Sequence, residues 1–138
     1  MDHTTKDRFA APLTEAEVRG MNSLALAHVG DAVFELMVRV HLCTGGTGRV
    51  AGLHTASVEM VNAGAQARDA GRLRELLTEE EADVYRRGRN AKVNSVPKHA
   101  SLEDYHAATG LEALFGYLYL LGRRERLSEL FGHIVEDD

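Results

Sequence analysis

At 138 residues, with 44% hydrophobic and 27% charged residues, the chain has the size and composition of one globular domain able to bury a core. Its formal net charge of -5 argues against a protein that coats nucleic acid with its whole surface, and its single cysteine, Cys43, excludes an internal disulfide framework and fits a reducing cytoplasm. No apolar run is long and charge-free enough to span a membrane, and the opening MDHTTKDRF is polar with no apolar signal core behind it.

In chain order, residues 1–12 read as an arm and Leu13 to Arg19 as a short helix. Thr14 is its cap, Glu17 completes a capping box and Gly20 stops it. This segment, 1–20, precedes a single domain over 21–136. Asn22 or Ser23 then caps a long helix, Leu24 to Leu42, LALAHVGDAVFELMVRVHL. At 3.6 residues per turn Leu26, Val29, Val33, Met37 and Val40 form its apolar stripe, with Asp31 and Glu35 on a different side. A mid-helix acid is costly to bury without a partner, so a basic side chain or a metal ion is expected near Asp31. Glu35 reads as an ion-pair partner for Arg39 or for an arginine further along the chain, with a supporting role beside Asp31 as the alternative.

The run Thr44-Gly45-Gly46-Thr47-Gly48 ends that helix. The next is expected from Val50 to Leu77 with a break near Gly71. Its small-residue stripe of Leu53, Ala56, Met60, Ala63, Ala67 and Ala70 would admit a close helix neighbour. Thr78 and Glu81 form a second capping box, opening a helix that ends near Ala91 with acids in its first turn and arginines in its last. Val96-Pro97 places a loop over 92–100. Ser101 with Asp104 caps a helix from Leu102 to Leu121, whose core face is Leu111, Leu114, Phe115, Leu118 and Leu121. Gly110 and Gly116 mark close packing and Gly122 the stop. A last helix, Glu125 to Val135, presents Leu127, Leu130, Phe131 and Ile134. No β-alternating run is present, so the fold class is all-α.

Two features carry chemistry. Asp31 and Glu112 are both helix-interior acids set in core-like sequence. If their helices pack side by side, the carboxylates would repel unless a cation lay between them, and hard oxygen ligands favour magnesium or manganese. The alternative is that each acid pairs separately with an arginine. The second feature is RRGRNAKVNSVPKH, from Arg86 to His99, which holds five Lys or Arg and no acid. Arg86, Arg87, Arg89, Asn90, Lys92 and Lys98 are the candidate contacts to an anionic ligand, with Arg49, His54 and Arg72 weaker ones. The seven histidines are scattered without metal-ligand spacing, and GGTG lacks the lysine and strand context of a phosphate loop.

LALAHVGDAVFEL resembles the signature helix of the ribonuclease III family, and LEALFGYLYL resembles that family's second catalytic helix. RGRNAK between them, and the short chain, bring the resemblance closest to the Mini-ribonuclease III branch. The resemblance implies a single ribonuclease III-type helical domain in which Asp31 and Glu112 bind Mg2+ (or Mn2+) and are catalytic. Ala27 and Thr109 stand where larger members carry two further acids. It also implies a homodimeric endoribonuclease that cuts double-stranded RNA to leave 5′-phosphate ends, in maturation of the large-subunit (23S) ribosomal RNA precursor. Without a separate RNA-binding domain, RNA grip would come from the catalytic domain itself. The rival expectation is a non-catalytic α-helical double-stranded-RNA-binding dimer.

Overall fold

The computed structural model describes residues 7–9, 12–45, 50–92 and 100–135, and every regular element among them is helical. In order these are α1 (Glu15–Arg19), α2 (Ser23–Thr44), α3 (Val50–Met60), α4 (Ala63–Leu73) with a 3-10 turn Arg74–Leu76, α5 (Glu79–Arg89), α6 (Leu102–Leu120) and α7 (Arg124–Val135). The local stop and start signals act as expected. Thr14 and Thr78 each accept from the backbone three residues on, and Glu17 and Glu81 return the bond to the cap. Asn22 caps α2 and Ser101 caps α6. Gly122, at φ 74°, turns the chain out of α6 in the left-handed region that glycine tolerates.

The centre of the domain is α6. From Ala108 to Leu118 every residue is buried except Glu112. Helices α2, α4, α5 and α7 pack around it. Close approach is possible because both crossing helices lack a side chain at the contact. A Cβ on Gly30 of α2 would lie 1.6 Å from the backbone oxygen of Glu112, and one on Gly116 would lie 2.0 Å from that of Leu26. The α5–α6 crossing is built the same way, with Gly88 over Gly110 and Ala113.

The core face of α2 is not the expected stripe. Leu26, Ala27, Gly30, Phe34 and Val38 are buried, whereas Val29, Val33 and Met37 are half-buried and Val40 is exposed. Phe34 sets this phase: its ring meets Phe115 at 5.3 Å and Phe131 at 6.0 Å, both edge-on. α2 is apolar on two faces, and only one of them meets α6.

The helix expected from Val50 to Leu77 is two helices that break at Asn62, not at Gly71. The Asn62 amide donates to the carbonyls of Val58 (2.9 Å) and Glu59 (3.1 Å), which ends α3. Its Oδ1 accepts from Ala65 N at 2.9 Å, which starts α4. One side chain thus satisfies orphan groups of both ends, while Gly71 lies exposed inside α4. The break also changes the buried face of α4 to Ala65, Gln66, Asp69, Ala70 and Leu73.

An ion pair between half-buried Arg126 and buried Glu81 ties α5 to α7. Arg126 donates to both oxygens of Glu81 at 2.9 and 2.8 Å, and to the Leu76 carbonyl at 2.7 Å.

Candidate active site

The Gly30–Gly116 crossing brings the residues after Gly30 and around Glu112 together. Asp31 follows Gly30 directly, and the Gly30 contact falls on the backbone of Glu112 itself. The two carboxyl groups therefore lie within hydrogen-bonding reach of each other. They differ in setting. Asp31 is exposed, whereas Glu112 is mostly enclosed on the central helix. The buried acid is thus Glu112, not the α2 acid that the sequence pattern singled out. Burial pushes the Glu112 carboxyl up to about 8, and the neighbouring Asp31 charge and hydrogen bond push in the same direction.

No arginine, lysine or histidine compensates either acid among the described residues; none of their ion pairs involves Asp31 or Glu112. The separate-arginine alternative finds no support there. Arg39 pairs with Glu35 at 3.1 Å, one turn further along α2, as expected for Glu35. His28 is exposed and lines an apolar groove on the outer side of α2. Ala27 and Thr109 are both buried, and the Thr109 hydroxyl donates to the Tyr105 carbonyl at 2.9 Å. Among the described residues no three acids, histidines or cysteines converge to hold a metal.

One polar group that the sequence analysis missed does converge. Gln66 of α4 is 4% exposed and lies beside Glu112, where its amide opposes the upward shift of the carboxyl. Its Nε2 nevertheless makes no hydrogen bond of normal length and angle. A signal was available in the sequence: Gln66 is the one long polar residue among Ala63, Gly64, Ala65 and Ala67.

The basic stretch is only partly assembled. Gly88 seats the last turn of α5 on Thr109, Gly110 and Ala113, the level of Glu112 along α6. Arg86 and Arg87 both pair with Asp83, Arg87 at 3.1 Å, and line a cleft that also holds Glu79 and Glu80. Arg89 lies over the Tyr85 ring at 5.8 Å, Asn90 is the C-cap of α5, and Lys92 is exposed. Lys98, like Arg49 and the Val96-Pro97 loop, falls outside the described residues. His54 sits in a second cleft with Glu35 and Arg39, and Arg72 donates to the Ile134 carbonyl at 3.2 Å.

A family profile described as the ribonuclease III domain matches residues 24–123, which spans α2 to the end of α6. The chain belongs to the ribonuclease III family. It is 49% identical over 123 residues to a Mini-ribonuclease 3 of Symbiobacterium thermophilum, covering 89% of this chain and 90% of that one. It is 44% identical to a Mini-ribonuclease 3 of Thermoanaerobacter sp., covering 91% and 90%. The fold is also similar to a crystal structure of a protein from Fusobacterium nucleatum, with a TM-score of 0.80, 28% identity, and 87% and 98% of the two chains covered. This ribonuclease III domain is accordingly an endoribonuclease, and the all-α, single-domain expectation holds. No described helix is long and apolar enough to cross a membrane.

Proposed function

We propose that this ribonuclease III domain hydrolyses double-stranded RNA with a divalent cation, Mg2+ or Mn2+, held between Asp31 and Glu112. The observation that carries the reading is a half-enclosed pair of carboxyl groups in mutual contact with no basic partner among the described residues. Such a pair fits a small hard cation: its donors are oxygens, one side is open, and the repulsion that raises Glu112 is relieved by positive charge. When bound, the ion supplies an activated water and stabilises the charge that develops on the phosphate. The chain's own share is geometric. Asp31 and Glu112 aim their oxygens from two helices locked at a glycine crossing, and burial of Glu112 keeps bulk water off one side. Arg89, Asn90 and Lys92, with Arg86 and Arg87 once released from Asp83, serve phosphates of the duplex, and Lys98 belongs to the same stretch.

A second copy of the chain is the proposed occupant of the outer face of α2. Val29, Val33, Leu36 and Met37, with Tyr119 and Leu127, line an open groove of about 590 Å³, and Leu36 is 48% exposed. A two-fold pair would set one site against each strand, and 5′-phosphate products would follow from water adding to phosphorus with the bond to the 3′-oxygen breaking. We propose 23S ribosomal RNA precursor, in the cytoplasm, as the substrate; the similarity to Mini-ribonuclease 3 chains supports the ribonuclease reading on which this rests.

The test is cleavage of a long RNA duplex with Mg2+ and with chelator, for the wild type, Asp31→Asn and Glu112→Gln. Cleavage only with the metal, and lost in both variants, is expected. Full cleavage in chelator overturns the cation, and full cleavage by either variant overturns the site.

A further inference from the structure

Gln66 is a buried donor in search of an acceptor. The rest of the buried face of α4 is otherwise accounted for: Ala65, Ala70 and Leu73 are apolar, and Asp69 lies 3.9 Å from Arg72. Among the described residues two buried side-chain polar atoms lack a hydrogen bond, His106 Nδ1 on α6 and Gln66 Nε2, and only Gln66 lies on this face of α4. A methionine would fill the same volume without that penalty, so the amide is a cost to the fold unless a partner appears in the working state. The group beside it is the Glu112 carboxyl.

We propose that Gln66 is a positioning residue for Glu112. When a divalent cation binds between Asp31 and Glu112, the Gln66 Nε2–H donates to one Glu112 oxygen and so fixes the other oxygen toward the cation and Asp31. This rests on the metal-site reading above. The residue type suits the task. A neutral amide orients a carboxylate without neutralising it, whereas a lysine or arginine there would compete with the cation for Glu112, and a glutamate would add a third negative charge. Its burial on a packed helix, rather than on a loop, fixes the direction of the donor.

The test is calorimetric titration of Mn2+ into metal-free wild type, Gln66→Met and Glu112→Gln, with urea unfolding of the same metal-free samples and duplex-cleavage kinetics. For Gln66→Met we expect Mn2+ affinity about 10- to 100-fold lower. Its kcat should fall, with KM for duplex unchanged and kcat partly restored by excess Mn2+. Its metal-free unfolding midpoint should equal or exceed that of the wild type, because an orphaned donor has been removed. Wild-type Mn2+ affinity in Gln66→Met, with weakened affinity in Glu112→Gln, overturns the role of Gln66 alone. Wild-type affinity in Glu112→Gln overturns the metal site beneath it. A metal-free midpoint well below that of the wild type makes the amide a structural group and also overturns the proposal.

Discussion

Glu112→Gln should stabilise the metal-free protein at alkaline pH while abolishing cleavage. In the fold the Glu112 carboxyl titrates near 8 rather than at its ordinary 4.5, because it is buried and faces Asp31. The folded chain therefore keeps a proton that the unfolded chain releases, and stability falls as pH rises through the window from 4.5 to 8. At about 1.4 kcal/mol for each tenfold change, and allowing for partial exposure, full ionisation opposes folding by about 4 kcal/mol. Glutamine is nearly isosteric and does not ionise. Its unfolding free energy in chelator should match the wild type near pH 5 and exceed it by about 4 kcal/mol at pH 9, a melting-temperature gap on the order of 15 °C. Mg2+ at about a hundred times its dissociation constant should return about 2.7 kcal/mol to the wild type and nothing to the variant. Urea unfolding between pH 5 and pH 9 reads both effects. Parallel pH profiles for the two proteins would refute the reasoning, since the carboxyl would then carry no strain.

Gly30→Ala puts a methyl group within 1.6 Å of the Glu112 backbone oxygen, which no side-chain rotation can relieve. It should cost about 3 kcal/mol or more by urea unfolding, and cleavage should fall further than the lost folded fraction explains. Arg126→Met strands Glu81, whose side chain is 3% exposed. A loss of about 3 to 5 kcal/mol is expected, mostly recovered by adding Glu81→Gln; no recovery would mean that packing, not charge, is what Arg126 supplies. Arg89→Ala and Lys92→Ala should each weaken duplex binding regardless of sequence and lower the slope of log affinity against log salt by about 1, measured without metal to prevent cleavage. An unchanged slope removes that residue from the RNA interface.

The local grammar of the chain was legible because it depends on near neighbours. Both capping boxes, the Asn22 and Ser101 caps and the Gly122 stop are interactions within three or four residues, or a single backbone angle. The core face of α6 was readable too, because nearly everything along it is apolar. The phase of α2 was not. Val29, Val33 and Met37 are as apolar as Phe34 and Val38, and periodicity cannot say which of two apolar faces meets the central helix. The Asn62 break was hidden because an asparagine that serves two helix ends looks, in sequence, like a polar residue within one helix. The site was half-readable. The two acids could be paired as a conjecture, but which one is buried depends on which helix is central, and Gln66 matters only once α4 packs against α6.

The glycine crossing explains why the core and the site cannot be tuned separately. Gly30 touches the backbone of Glu112, and Gly116 touches the backbone of Leu26, so the separation of the two carboxyl-bearing helices is set by main chain against main chain. A larger residue at either point would move Asp31 away from Glu112 by the same step that opened the core. The crossing thus holds together two acids that repel, and it can do so because the contact is backed by Phe34 packed on Phe115 and Phe131. Burial and the neighbouring Asp31 together leave Glu112 holding a proton in the metal-free fold. A cation that displaces this proton takes over the neutralisation of the pair, so metal binding should release a proton and its affinity should rise as pH approaches 8.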